Sequence, residues 1–259
     1  MSEIPPPPPP QHQPGFSNYP RSNYSATPYR RPPGVYFDEI GHAWRLVQSN
    51  LGTWVLSMLI CGVSYYVIVF GIEFLAIFAF RTESFNVSLV VLLYGLFILL
   101  GLVGSIVLTG LINMGVKQAR SEQIGVGDIF SGFRRSGPIM GGAFIMGLLV
   151  CLGYMLLVVP GIYLTGILFF VPMLILDRNM GPIEAINECL RVLKPYAWAI
   201  FGIYFISYLL GAVGMMLCLI GALFTMPVFF STMGLTYNNF FPKLTGQTFS
   251  QQIGIEPPR

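Results

Sequence analysis

Apolar residues in this chain fall into long continuous runs rather than into alternation. Six such runs can be drawn: Leu51 to Phe80, Val87 to Ile112, Pro138 to Val158, Gly161 to Leu176, Tyr196 to Met216 and Leu219 to Thr236. A helix of about 20 apolar residues crosses a hydrocarbon core of about 30 Å. The pattern therefore predicts an all-α integral membrane fold with about six transmembrane helices. Val159 and Pro160 separate the third run from the fourth, so Pro160–Gly161 reads as a tight turn at a membrane face. The stretch from Tyr196 to Thr236 is too long for one span. It divides into two helices, with Gly211, Gly214 and Gly221 tolerated inside them.

Polar positions interrupt these runs in a recurring way. A short amphipathic segment precedes each pair of spans: FDEIGHAWRLVQSN, VGDIFSGFRR and GPIEAINECLRVLK. Ile40, Ala43, Trp44 and Val47 share a helical face in the first. Val126, Ile129, Phe130 and Phe133 do so in the second, and Ile183, Ile186, Leu190 and Leu193 in the third. In each segment acids come first (Asp38 and Glu39; Asp128; Glu184 and Glu188) and bases follow (Arg45; Arg134 and Arg135; Arg191 and Lys194). That order complements the helix dipole. Pro182 and Pro195 are start and stop signals around the third segment. These features predict three units, each of one interfacial helix plus two spans.

Charge decides the expected orientation. Of 14 Lys and Arg, 13 fall on the side of the N-terminus, and only Arg81 falls on the other. Cytoplasmic loops carry the Lys/Arg excess, so a multi-pass protein with both termini cytoplasmic is expected. The basic end of each interfacial segment would meet a bilayer with anionic headgroups, and Trp44 and Trp198 suit the same interface.

Composition agrees with this picture. Hydrophobic residues make up 54% and charged residues 10% of the 259, with 29 Gly, whereas soluble domains carry about 25% charged residues. A net charge of +3 gives no reason to expect nucleic acid. Cys61, Cys151, Cys189 and Cys218 form no CxxC pair and the two His make no cluster with them, so no metal site and no cofactor is predicted.

The first 34 residues hold 11 of the 20 prolines. Such a segment cannot bury a core and is expected to be disordered, with polyproline II character. Residues 1–34 are thus read as a cytoplasmic tail, 35–241 as the membrane domain and 242–259 as a short cytoplasmic tail. The hexaproline at 5–10 fits a proline-motif binder, and Tyr19, Tyr24 and Tyr29 recur beside it.

The stretch PGIYLTGILFFVPMLILDRNMGPIEAINECLRVLKPYAW resembles a pattern of uncharacterised bacterial polytopic membrane proteins. In that pattern Pro-Gly opens a span, Pro and Asp close it, and Gly-Pro-x-Glu-Ala begins an interfacial helix ending near a Trp. The group includes YciC-like proteins and the membrane domain attached to some glycerophosphoryl diester phosphodiesterases. The resemblance spans roughly residues 35–245 and implies a bacterial inner (plasma) membrane location. Cys189 stands where such proteins commonly have Ser or Thr. Phosphodiesterase activity does not carry over, because that chemistry belongs to a separate soluble barrel.

Few residues are candidates for chemistry. Glu73 is the one formal charge clearly inside an apolar run, and intramembrane carboxylates often mark ion pathways. It lies roughly 28 Å along the helix from Trp54, however, near the outer interface. Asp177, Arg178, Glu184, Glu188 and Arg191 concentrate charge between two spans. They read better as a solvated interfacial face, with Glu188 and Arg191 paired at i,i+3, than as an acid/base set. Pro172 and Pro227 mark kinks or breaks. The expectation is a non-enzymatic membrane protein serving scaffolding, assembly or envelope maintenance, with other membrane proteins as partners. The alternative is a small transporter or channel using Glu73 and the proline-broken helices.

Overall fold

The computed structural model describes residues 33–80, 87–216 and 219–243. The hexaproline and tyrosine tail, residues 81–86 with Arg81, Cys218 and the C-terminal segment from 244 lie outside them. Among the described residues every regular element is helical. In chain order these are α1 (Glu39–Ser49), α2 (Leu51–Phe80), α3 (Val87–Ala119), a 3-10 helix η1 (Val126–Arg135), α4 (Ser136–Leu156), α5 (Val158–Leu168), α6 (Val171–Arg178), α7 (Pro182–Leu193), a short 3-10 helix η2 (Lys194–Tyr196), α8 (Ala197–Met216) and α9 (Leu219–Phe240). Five stretches are long and apolar enough to cross a membrane: Leu51–Ile77, Val91–Ala119, Val126–Leu156, Val158–Arg178 and Pro182–Gly214. The all-α membrane architecture follows.

The sixth long helix, α9, is less apolar because its C-terminal half carries Ser231, Thr232, Thr236, Tyr237, Asn238 and Asn239. All six are buried, since α1, α2, α3 and α8 pack around it. Protein rather than lipid surrounds that half, and Thr232, Thr236, Tyr237, Asn238 and Asn239 each make a side-chain hydrogen bond there. Two glycines permit the closest approach. A Cβ on Gly115 of α3 would stand 2.5 Å from the Phe230 carbonyl oxygen, and one on Gly234 of α9 would run into the Gly115 backbone. α8 and α9 run antiparallel, with Gly214 against Thr225 and Gly211 against Met226.

The fourth apolar run departs from expectation. It is not one helix but two, α5 and α6, parted at Phe169–Phe170. Pro172 explains the break: it has no N–H to give the carbonyl four residues earlier, and its ring collides there. That carbonyl belongs to Leu168, the last residue of α5. Pro227, by contrast, sits inside an unbroken α9. The expected Pro160–Gly161 turn also moves. The chain turns at extended Leu157 (φ −167°, ψ 152°), and Pro160 falls in the first turn of α5, where a missing N–H leaves no gap.

The amphipathic segments are all helical, and each lies on a long helix: α1 on α9, η1 on α3, α7 on α4 and α6. Their buried faces differ from those drawn on the sequence. Ala43 and Val47 of α1 are buried, but Trp44 is exposed. η1 has a period near three, so Phe130 and Phe133 line up away from buried Ile129 and Gly132. On α7 the buried set is Ala185, Ile186, Cys189 and Leu193, while Ile183 is exposed.

Candidate functional site: a polar junction of helix ends

The C-terminal ends of α3, α6 and α9 converge on one network. Arg120, just past α3, donates from Nη1 to Asp177 Oδ1 at 2.7 Å and from Nη2 to Asp177 Oδ2 at 2.8 Å. Its Nε reaches Asn238 Oδ1 at 3.1 Å, and Nη2 also reaches the Phe241 carbonyl at 3.1 Å. Tyr237 donates its hydroxyl to Asp177 Oδ2 at 2.9 Å. This is fork-to-fork guanidinium–carboxylate geometry, the strongest form of such a pair. Burial alone would pull the Arg120 guanidinium down, but the bonds and charge of Asp177 outweigh it and hold it above the ordinary arginine value.

A second cluster adjoins the first on α9. Glu39, at the start of α1, is fully buried. Thr236 donates its hydroxyl to Glu39 Oε2 at 2.8 Å, and Asn239 Nδ2 donates to Glu39 Oε1. Asn239 Nδ2 also reaches the Gly34 carbonyl at 3.3 Å, which seats the chain entering α1. A third link joins α2, α3 and α1. Trp54 Nε1 donates to Gln118 Oε1 at 3.0 Å, and Gln118 Nε2 donates to the Leu46 carbonyl at 3.0 Å.

Most other charges flagged by the sequence are engaged close to where they stand. Glu184 accepts the Gly181 N–H at 3.3 Å and Asp128 accepts the Gly125 N–H at 2.9 Å, each fixing the start of its helix. Asp128 also pairs with Lys117 at 2.6 Å. Arg191 pairs with Glu188 at i,i+3, and Arg178 stands 5.2 Å over the Phe241 ring. Arg135 donates to Asn179 Oδ1; Asn179 closes α6 in a left-handed conformation, φ 62°. Glu73 is exposed on α2, away from this network.

Chemically, the junction is a clamp. The Asp177 carboxylate accepts three bonds across its two oxygens, so neither oxygen is poised to take a proton from a substrate. No group of three or more His, Cys, Asp or Glu side chains is arranged to hold a metal among the described residues. Sequence reasoning found Asp177 but missed Arg120, Tyr237, Asn238 and the burial of Glu39. A signal was present: α3 ends MGVKQAR and α9 ends MGLTYNN, two Met-Gly-aliphatic segments turning polar at the same offset. No family model, curated protein or solved structure matches the chain.

Proposed function

We propose that the chain is a non-enzymatic multi-pass membrane protein acting as a scaffold or assembly factor in envelope maintenance. Six membrane helices in three units, both termini in the cytoplasm and a bacterial inner membrane complete the reading. The resemblance of Pro160–Trp198 to the YciC-like group supports it. The observation that carries it is the use made of charge: Asp177, one of the charges concentrated between two spans, is bound by Arg120 and Tyr237. Polar groups of this kind fix the arrangement of helix ends, which is what a scaffold needs.

Transport is the less favoured reading. A broken helix that serves an ion presents free backbone carbonyls to a polar cavity. Here Phe170 is buried, and rings crowd the break: Phe169 lies 5.0 Å from Tyr204 and 6.2 Å from Phe229, centroid to centroid. Glu73 is on the outer surface of α2. Reconstituted liposomes provide the test. Proton and small-solute flux equal to that of protein-free liposomes, unchanged by Glu73→Gln, is expected. Flux that requires Glu73 would replace the scaffold reading with transport.

A further inference from the structure

The acids and bases of the three surface helices meet different fates. Every acid aligned by the sequence is engaged: Glu39 by Thr236, Asp128 by Lys117, and Glu184 by the Gly181 N–H. Most described bases are engaged as well. Lys117 is held by Asp128, Arg120 by Asp177, Arg135 by Asn179, Arg191 by Glu188 and Lys243 by Glu122, while Arg178 lies over Phe241. Three remain. The charged groups of Arg45, Arg134 and Lys194 are on exposed residues and make no hydrogen bond or ion pair among the described residues.

Each of the three follows the acids of its own surface segment. Arg45 lies within α1, four residues before its end at Ser49, Arg134 lies in the last turn of η1 before α4, and Lys194 follows α7 before α8, so each belongs to the surface segment that leads into a long apolar helix. Each also has an exposed aromatic within four positions: Trp44 at 41%, Phe133 at 48% and Trp198 at 56% exposure. A solvated base needs no such neighbour, and an exposed aromatic in water is unfavourable. Together they match the headgroup boundary, where a ring sits among carbonyls and a long cationic side chain extends to phosphate.

We propose that Arg45 with Trp44, Arg134 with Phe133, and Lys194 with Trp198 form three seats for the phosphate of an anionic phospholipid. The attraction is to lipid rather than to free phosphate because each seat offers one cation beside apolar surface, not an enclosed set of donors. The seats explain why these bases, alone among those of the described residues, have no internal partner.

The test uses the full chain in nanodiscs of mixed phosphatidylcholine and phosphatidylglycerol, with retained lipids counted by native mass spectrometry. Wild type should keep up to three phosphatidylglycerol molecules, and each of Arg45→Gln, Arg134→Gln and Lys194→Gln should lose one. Arg191→Gln, whose arginine is engaged by Glu188, should keep all three. The triple variant should retain only the phosphatidylcholine background yet melt like wild type in pure phosphatidylcholine. Unchanged phosphatidylglycerol retention in the triple variant, or equal retention of both lipids by wild type, overturns the proposal. Early melting of the triple variant overturns it too, because the bases would then hold protein. Displacement of phosphatidylglycerol by inorganic phosphate would assign the seats to a soluble anion instead.

Discussion

Arg120 and Asp177 are 57 positions apart, yet their side chains meet in two parallel hydrogen bonds of 2.7 and 2.8 Å. One residue follows α3 and the other lies in the last turn of α6, so the pair ties the ends of these two helices together. Tyr237 brings α9 to the same carboxylate. Three helices that lipid alone would leave free to slide are fixed in register by one ionic junction.

The Tyr237 hydroxyl is a neutral donor to a charged acceptor in a buried place. Tyr237→Phe removes it without changing the packing of the ring against Phe170 and Phe241. A loss of about 1.5–3 kcal/mol in unfolding free energy is expected. Reversible denaturation in mixed micelles measures it. A variant as stable as wild type would mean that Arg120 alone holds Asp177.

Glu39 separates shape from charge. Glu39→Gln keeps the size and can still accept from Thr236, whereas Glu39→Ala strands the Thr236 and Asn239 donors in a buried site. Ala should therefore destabilise by about 1–3 kcal/mol more than a variant that keeps those donors satisfied. The same denaturation assay compares the two, and equal losses would show that hydrogen bonding at Glu39 is immaterial.

The α3–α9 crossing tolerates no side chain. Gly115→Ala should cost about 1–3 kcal/mol, because its methyl would meet the Phe230 carbonyl. Gly101→Ala on the outer part of α3 is the control. Nothing stands within 4 Å of its Cβ position, so it should be neutral or slightly stabilising. Thermal melts in detergent distinguish the two, and similar melting points would contradict the crossing.

The orientation is testable by labelling. In a variant without the four native cysteines, a cysteine at Glu122 should react only with reagent on the cytoplasmic side. One at Leu157, in the α4–α5 turn, should react only from outside. The opposite pattern would reverse the assignment drawn from the Lys/Arg distribution.

Much of the helical layout was legible because continuous apolar runs report length directly. The first run coincides with α2, Leu51–Phe80, and the fifth and sixth became α8 and α9. What escaped was decided by contacts between distant segments. The α5–α6 break lies in an apolar Phe-Phe pair, and only the carbonyl lost at Pro172 marks it. η1 was drawn with helical period 3.6, but its 3-10 winding sends Phe130 and Phe133 outward. Glu39 looked like a solvated first-turn acid until α9 covered it. Nothing near Arg120 in sequence points to Asp177, 57 positions away. The polar end of α9 was the clearest unused clue: Thr236, Tyr237, Asn238 and Asn239 would be costly in lipid and are affordable only inside protein.

The central claim is that the charge gathered around Asp177 holds the fold together. A double-mutant cycle on Arg120→Met and Asp177→Leu in mixed micelles measures this directly. Each single change leaves a largely buried charge unpaired and should lower stability by about 3–5 kcal/mol. The double variant removes both charges and should lose less than the sum by a coupling of about 1–3 kcal/mol. Strictly additive losses, or single variants as stable as wild type, would contradict the claim.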